Sequence, residues 1–384
     1  DSGLAEGAYA YYCAVICDGY TVNTDNATFY VSSSGSTGNY EVTASNGIIK
    51  KYPTLETAIT AAKSKPGSTV KLLADATTAS KVEVTSGTFT IDLNGKTWTS
   101  NASDTALHLA YGSHVTLKDS ATGGKFTSAG NYTIYAKDAP VTIESGNYEN
   151  TYTGYSQFAL LANGSGFADS DKPLITIKGG TFTTKDNNYA AYFMSINVSI
   201  SGGTFSMANV GSVYFAGSCP NVSLTGGTYN GIQRNSGNVG TLLASGYGYK
   251  TVSGETWVND TSGTSLSNVT VQPVPAKITA QPQNAVNATY GYTSAPSMSV
   301  TAEKTAAAPL GSTITYQWYR VKSGSETSDT ALGTTSTQTL PTGLDAGSYS
   351  FYCVVTCDGY ILNSQSATFI VEPKDISAST LALD

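Results

Sequence analysis

One short phrase returns six times in this chain of 384 residues, and it limits the fold more than any other feature. The phrase is an apolar residue, a spacer, an apolar residue, then a small residue, glycine, one further residue and an aromatic ring. It reads Val82-Glu-Val84 with Gly87-Thr-Phe89, Val115-Thr-Leu117 with Gly124-Lys-Phe126, and Val141-Thr-Ile143 with Gly146-Asn-Tyr148. It continues as Ile175-Thr-Ile177 with Gly180-Thr-Phe182, Val198-Ser-Ile200 with Gly203-Thr-Phe205, and Val222-Ser-Leu224 with Gly227-Thr-Tyr229. A strand-and-corner unit repeating roughly every 23 to 34 residues is the pattern of a solenoid, in which neighbouring repeats cover one another's apolar faces. Alternation of Val, Ile or Leu with Thr, Ser or Lys gives a strand with one buried face, and the glycine permits a corner that a Cβ would obstruct. The ring two residues later turns inward. Stacked coils therefore predict one interior column of Phe89, Phe126, Tyr148, Phe182, Phe205 and Tyr229, spaced at about 4.8 Å.

A second strand recurs in the same coils as Leu107-His108-Leu109, Ile134-Tyr135-Ala136, Leu160-Leu161-Ala162, Ala191-Tyr192-Phe193 and Val213-Tyr214-Phe215. Its outer residues are the better core formers, which leaves His108, Tyr135, Leu161, Tyr192 and Tyr214 as an outward column. Coils of parallel strands joined by short turns are expected to be right-handed. An open solenoid end exposes strand edges and core, so it needs a cap. Residues 54–65 fit one: Thr54 is an N-cap, Glu56 lies in the first turn, Leu55, Ala58, Ile59 and Ala62 share a helical face, and Pro66-Gly67 stops the helix. This run, with the strand Thr69-Val-Lys-Leu-Leu-Ala74 after it, resembles the capping helix and first strand of bacterial surface-protein β-helices.

A longer repetition separates the two ends. The series Gly7, Tyr9, Tyr12, Cys13, Val15, Cys17-Asp-Gly-Tyr20, Asn23 and Ala27-Thr-Phe29 returns as Gly347, Tyr349, Tyr352, Cys353, Val355, Cys357-Asp-Gly-Tyr360, Asn363 and Ala367-Thr-Phe369. About a domain's length of strand-like sequence precedes the later copy, including Met298-Ser-Val300 and Ile314-Thr-Tyr-Gln-Trp318-Tyr. Residues 275–373 resemble an immunoglobulin-like sandwich of the kind found in tandem on bacterial surface proteins. The resemblance places Trp318 as the buried Trp of the third strand and Asp345-Ala-Gly-Ser-Tyr349 as the tyrosine corner. It departs from the pattern at the inter-sheet disulfide: the second cysteine position holds Phe351, and the first-cysteine strand offers Ser297, Ser299 or Val300.

The expected organisation is thus all-β. Residues 1–31 are the last two strands of a preceding immunoglobulin-like domain, and 32–51 a linker or hairpin. Residues 52–272 form a right-handed parallel β-helix with an N-terminal capping helix, 275–373 an immunoglobulin-like β-sandwich, and 374–384 the start of a following module. The chain resembles part of the large, repetitive, adhesin-like cell-surface proteins of Gram-positive bacteria. That resemblance implies an extracellular location and further tandem modules as partners.

Composition narrows the function. A net charge of -7 with two arginines, Arg234 and Arg320, argues against nucleic acid, because a polyanion is neutralised by clustered Lys and Arg. No apolar run reaches the roughly 18 residues that would insert in a membrane, and no signal peptide precedes Asp1. An internal fragment of a secreted chain accounts for both. The pairs Cys13 and Cys17, and Cys353 and Cys357, lie four apart on strands, about 13 Å between Cα atoms and beyond disulfide range. They read as small buried apolar residues, with Cys219 a lone thiol at a corner.

Parallel β-helices host polysaccharide lyases and glycoside hydrolases, so a carbohydrate-active enzyme with accessory sandwiches is the rival reading. Such sites need clustered carboxylates or a carboxyl pair several ångströms apart. Here the outward positions of the repeated strand are Thr116, Thr142, Thr176, Ser199 and Ser223, while Asp119, Asp138, Glu144, Asp169, Asp171 and Asp186 scatter over corners and insertions. No catalytic residue, cofactor or metal site is therefore assigned. His108 and His114 with Asp119 match no ligand spacing and read as solvated histidines, and Asp169-Ser-Asp171 reads as a polar turn in a lengthened corner. The candidate ligand-binding residues are Tyr135, Tyr192, Tyr214 and His108, with Tyr152, Tyr155 and Phe167 as a rim, because aromatic rings offer large contact area at low entropy cost. The function expected is adhesion and display by a non-catalytic stalk, toward a host glycan, mucin or a host protein such as an immunoglobulin.

Overall fold

A computed structural model of the chain describes residues 7–31, 38–154, 156–185, 189–207, 212–253, 256–322 and 326–375. Residues 68–234 wind into a parallel β-solenoid of about six turns, each turn giving one short strand to each of three faces. The first face runs from Ser68–Leu72 through Gly87–Asp92, Ser113–Lys118, Val141–Ile143, Leu174–Ile177 and Asn197–Ile200 to Val222–Leu224. The second begins at Ala76–Thr78 and Thr97–Ser100, continues through Lys125–Ser128, Asn147–Asn150, Thr181–Thr184 and Thr204–Met207, and ends on the strand Thr228–Arg234. The third comprises Val82–Val84, Thr105–Leu109, Tyr132–Lys137, Phe158–Asn163, Ala191–Met194 and Val213–Phe215. It meets the second on that same final strand, which is long enough to serve both.

The recurring phrase spans a corner between the first and second faces. Gly180 shows why glycine is needed there: its φ is +94°, and a Cβ would lie 2.9 Å from the carbonyl oxygen of Gly146 on the preceding coil. Just past the corner the interior rings fall into register as Trp98, Phe126, Tyr148, Phe182, Phe205 and Tyr229. Centroids lie 3.8 Å apart for Trp98 and Phe126, 4.9 Å for Phe182 and Phe205, and 5.2 Å for Phe205 and Tyr229, with planes within 8° of parallel. Phe89 is not the first member of this column. It lies on the first face beside Val115, and Val82-Glu-Val84 lies on the third face beside Leu107-His108-Leu109. Strand alternation and a glycine corner look alike at all three corners of a coil, so the phrase by itself does not say which faces it joins.

Polar groups inside the solenoid are satisfied by the backbone of its corners. Tyr148 Oη donates to the Ser145 carbonyl at 2.7 Å and Tyr229 Oη to that of Gly226 at 2.9 Å. Asn150 is fully buried; its Nδ2 donates to Gly130 O at 2.8 Å and Asn131 O at 3.2 Å, and its Oδ1 accepts from Tyr152 N at 3.1 Å.

At the solenoid's start the hairpin Tyr40–Thr43 and Ile49–Tyr52 adds antiparallel to Ser68–Leu72, extending the first face. The helix Leu55–Lys63 begins at Thr54, whose hydroxyl accepts from Thr57 N at 3.3 Å, and buries Leu55, Ala58, Ile59 and Ala62. It packs against the hairpin and the first two strands of the first face, with Gly87 so close to Lys63 that a Cβ would meet its Cα at 2.9 Å. At the other end, Ser265–Pro273 pairs antiparallel with Thr228–Arg234, and the 3-10 turn Val239–Leu242 buries Val239 and Leu242.

The second compact unit, largely residues 272–375, has its own core of Met298, Val300, Trp318, Leu340, Phe351, Cys353, Val355, Ala367, Phe369 and Val371. Its main sheet pairs Ile314–Arg320 antiparallel with Gly347–Cys357, setting Trp318 opposite Cys353. Trp318 Nε1 donates to Thr335 O at 2.9 Å, and Tyr349 Oη donates to Asp345 O at 2.9 Å.

Residues 7–31 repeat the pairing register at the end of that unit, with Gly7–Tyr11 and Ala14–Cys17 standing where the later copy has the single strand Gly347–Cys357. Gly7 opposes Val31, Tyr11 opposes Ala27, Ala14 opposes Asn23 and Cys17 opposes Tyr20, as Gly347 opposes Val371, Phe351 opposes Ala367, Val354 opposes Asn363 and Cys357 opposes Tyr360. Both turns hold an Asp-Gly pair at positive φ, Asp18-Gly19 and Asp358-Gly359. Cys13 N donates to Thr24 Oγ1 at 2.9 Å, and Cys353 N to Ser364 Oγ at 2.9 Å. Burial differs between the copies. Cys353 and Cys357 are enclosed, whereas Cys13 and Cys17 are exposed, contrary to their reading as buried strand residues, since no described element lies over their face.

Candidate functional site

The third face carries the most continuous aromatic surface. On the core side of its strands Leu107, Leu109, Ile134, Ala136, Leu160, Ala162, Ala191, Phe193, Val213 and Phe215 are fully buried. Between them His108, Tyr135, Leu161, Tyr192 and Tyr214 point outward as successive register partners, with Glu83 before His108 and Gln233 after Tyr214. His108 stacks on Tyr135 with centroids 5.1 Å apart, and Tyr192 on Tyr214 at 4.8 Å. Leu161 interrupts the rings.

A parallel row fills that gap. Tyr132 and Phe158 are register partners stacked at 5.8 Å; Tyr132 lies 5.5 Å from Tyr135, and Phe158 5.1 Å from Tyr192. Tyr189 touches Tyr192 and Tyr214, at 5.8 and 4.9 Å, and donates to Gln233 Oε1 at 2.8 Å. The sequence reading missed this second row. Its signal was an aromatic residue three positions before the column residue: Tyr132 before Tyr135, Phe158 before Leu161, Tyr189 before Tyr192. Strict strand alternation would turn such a residue inward. The strands instead enter this face with consecutive buried residues, Thr133-Ile134 and Ala190-Ala191, so the rings of Tyr132 and Tyr189 ahead of them are partly exposed, while Phe158 ahead of Ala159-Leu160 is itself enclosed, at 9% exposure.

The surface is uncharged over most of its length. Partial burial raises the phenol pKa values of Tyr132, Tyr135, Tyr189 and Tyr192, keeping their hydroxyls protonated as donors and acceptors. Lys137, two residues past Tyr135 on its strand, and Asp104, near Tyr132, lie beside the rings, and a charged cluster stands at one end. His108 Nδ1 lies 2.9 Å from Glu83 Oε1, and Lys81 Nζ lies 3.5 Å from the same oxygen. The hydrogen bond from His108, then the Lys81 charge, holds the Glu83 carboxyl below its ordinary value. His108 is thus no solvated histidine; its side chain is 16% exposed. His114 sits on the first face opposite Thr88, so His108, His114 and Asp119 do not converge.

Two of the scattered acids, Asp119 and Asp138, anchor corner backbone. Asp119 accepts from Gly95 N at 2.6 Å and Gly124 N at 2.7 Å, and Asp138 from Gly166 N at 3.0 Å. Glu144 pairs with Lys178 at 3.1 Å and Asp169 with Lys172 at 3.2 Å. Asp186 and Tyr155 lie outside the described residues, and among those described no three acidic, His or Cys groups gather as a metal site. Outward Thr116, Thr142, Thr176, Ser199 and Ser223 form one hydroxyl row on the first face.

Where the third face turns into the first, a groove of about 410 Å³ opens between Tyr111, His114, Asp138, Phe167 and Asp171. Tyr111 is 70% exposed and its ring lies 5.5 Å from that of Phe167. Tyr152, on the opposite border of the third face, is also exposed. No protein-family model, curated protein or solved structure matches the chain.

Proposed function

We propose that this chain is a non-catalytic repeat region of an extracellular bacterial surface protein, in which the solenoid presents its third face to a ligand and acts as a stalk. The reading rests on one observation: Tyr135, Tyr192 and Tyr214, with His108 at the end, hold an outward register while Tyr132, Phe158 and Tyr189 fill in a second row beside them. Rings already packed against one another lose little side-chain freedom on contact, which favours binding by a broad, shallow surface. Protonated phenols along that surface suit a host glycan or mucin, or a host protein such as an immunoglobulin. The exposed Tyr111 and the carboxylates of the adjoining groove extend it toward saccharide hydroxyls. Asp119 is tied to the backbone of its corner and Glu144 is paired with Lys178, which supports display over catalysis along the strands of the first face.

In this reading the helix Leu55–Lys63 caps the first coil, supported by its apolar face against the solenoid's first strands. Residues 275–373 act as an immunoglobulin-like sandwich. The buried Trp318 and the Tyr349 to Asp345 hydrogen bond favour that assignment, with Phe351 and Val300 packing where other such domains place a disulfide. A glycan and host-protein array identifies the ligand, and titration of Tyr192→Ala and Tyr135→Ala against it tests the site. Loss of affinity on the order of 1 to 3 kcal/mol supports the reading; unchanged affinity in both variants refutes it.

A further inference from the structure

The two arginines of the chain are placed differently. Arg320 is ion-paired to Glu326 in the second unit. Arg234, the last residue of the solenoid strand Thr228–Arg234, is partly buried and pairs with no carboxylate among the described residues. Its Nη1 donates to Thr241 Oγ1 at 2.5 Å, while its Nε is enclosed without a hydrogen-bond partner. Beside it, where the strands Leu174–Ile177, Asn197–Ile200 and Val222–Leu224 begin, a pocket of about 450 Å³ opens among Leu174, Asn197, Ser199, Asn221, Ser223 and Arg234. No acid lines it. Asn221 Nδ2 donates to Asn197 Oδ1 at 3.0 Å and Asn197 Nδ2 to Lys172 O at 2.8 Å, which holds both amides in place. Ser199 and Ser223 are register partners on adjacent coils, and their hydroxyls bond to no other described residue. Leu174, at 45% exposure, adds an apolar patch.

We propose that this pocket is a second ligand site, which takes the carboxylate of an acidic saccharide, a uronate or a sialate, on Arg234. Holding Thr241 needs only a neutral donor, whereas a partly buried charge with no counterion costs free energy until an anion meets it. A guanidinium engaged through one nitrogen keeps further N–H groups for a carboxylate, in the geometry that carboxylates accept. One cation balances one carboxylate and leaves a phosphate dianion half-compensated. The saccharide part follows from the rest of the lining. Two unpaired serine hydroxyls about 4.8 Å apart along the coils, with the Asn221 amide beside them, match neighbouring ring hydroxyls as donors and acceptors. Leu174 meets the apolar face of a sugar ring. The pocket lies on the first face, so this site stands or falls separately from the aromatic third face.

Calorimetric titration at neutral pH tests this with four probes: a glucuronate-bearing tetrasaccharide, a sialyl trisaccharide, the carboxyl methyl ester of each, and inorganic sulfate. At least one of the two acids should bind, and which one does identifies the source of the carboxylate. Its methyl ester should bind at least about tenfold more weakly, the smallest loss expected when a charge-assisted hydrogen bond is removed. Arg234→Gln should weaken the acid by a similar factor and the ester little, and Arg234→Lys should recover part of the loss. Because Arg234 also holds Thr241, melting curves accompany the titrations. The double variant Ser199→Ala with Ser223→Ala removes only unpaired hydroxyls, so it should melt like the parent and still bind the acid several-fold more weakly. Failure of both acids to bind, or esters that bind as well as the acids, would overturn the proposal. So would unchanged affinity in Arg234→Gln and in the double serine variant. Sulfate bound as tightly as the saccharides would overturn it too, since the pocket would then take any small anion.

Discussion

Tyr192 and Tyr214 occupy the same register position on adjacent coils, their rings 4.8 Å apart and inclined by 16°, on the outer side of strands whose inner residues are fully buried. Phe182 and Phe205 stand in the same relation inside the solenoid, 4.9 Å apart and inclined by 7°. The two stacks have nearly equal ring geometry and opposite solvent contact. Removing Phe182 leaves a cavity on all sides, so Phe182→Ala should lower stability by about 3–5 kcal/mol. Tyr192→Ala removes the contacts of a partly buried ring and should cost about 0.5–1.5 kcal/mol. Chemical denaturation of the two variants checks this; equal losses would make the outer column a structural element and not a presented surface.

The corner glycines separate two costs that sequence alone merges. Gly123 and Gly180 have φ of +95° and +94°, but a Cβ on Gly123 would meet nothing within 4 Å, whereas one on Gly180 would lie 2.9 Å from Gly146 O. Gly123→Ala should therefore lose only the conformational part, about 1–2 kcal/mol. Gly180→Ala adds a backbone overlap between coils and should lose at least about 1 kcal/mol more. Urea midpoints of the two variants measure the difference.

The solenoid and its outward column were legible because parallel coils repeat a period-2 pattern at fixed corners, and Tyr135, Tyr192 and Tyr214 sat between better core residues. Two errors came from the limits of that period. Phe89 resembled the later rings because a V-x-V run and a glycine precede it, yet its strand lies one face earlier in the coil, and Trp98, lacking the glycine phrase, takes the column position. Tyr132 and Tyr189 were missed because the paired buried residues at each strand entrance break the alternation that would have turned them inward. The Glu83–His108 contact was hidden for the same reason as Phe89, since placing Glu83 required knowing that its strand belongs to the third face.

That contact gives the column end a pH dependence. The Glu83 pKa lies below its ordinary value of 4.5, chiefly through the His108 hydrogen bond. A lowered carboxyl pKa contributes stability that is present above the ordinary value and disappears as pH falls through the folded one. The difference in melting temperature between the parent chain and Glu83→Gln should hence be constant from pH 5 to 6 and close progressively below 4.5. Because Glu83 is exposed, the difference should be small and should shrink further in high salt. A gap that persists undiminished well below pH 4.5 would show that the glutamate acts through packing instead of charge.

Asn150 tests how the interior tolerates polarity. It is fully buried in the second face, donating to Gly130 O and Asn131 O and accepting from Tyr152 N, so one side chain ties three backbone groups of two coils. Asn150→Ala leaves those groups without partners away from water and should destabilise the chain by about 2–4 kcal/mol. Asn150→Asp keeps the acceptor for Tyr152 N but directs carboxylate oxygens at two carbonyls. It should be at least as damaging at neutral pH and recover in part in acid, where a protonated carboxyl can donate again. Melting curves of both variants at neutral and acidic pH check the pair; an alanine variant as stable as the parent would mean that water takes over all three hydrogen bonds.

The burial of Cys353 predicts an alkaline sensitivity for the second unit. It lies opposite Trp318 in the core, and burial pushes its thiol from an ordinary value of 9.0 up to about 11. For a raised thiol pKa the folded state holds its proton while the unfolded chain loses it. The contribution is therefore complete below pH 9.0 and is lost as pH rises toward 11. Tyrosines complicate the upper part of this window, since Tyr352 is also raised, to about 12 from 10.0, so the thiol is best read between pH 9 and 10. Over that unit the denaturation midpoint should fall in the parent chain and fall less in Cys353→Ala, which carries no thiol there although its baseline stability is lower by the lost packing. Parallel slopes in the two proteins would show that the folded chain ionises Cys353 as readily as the unfolded one, contrary to its enclosure.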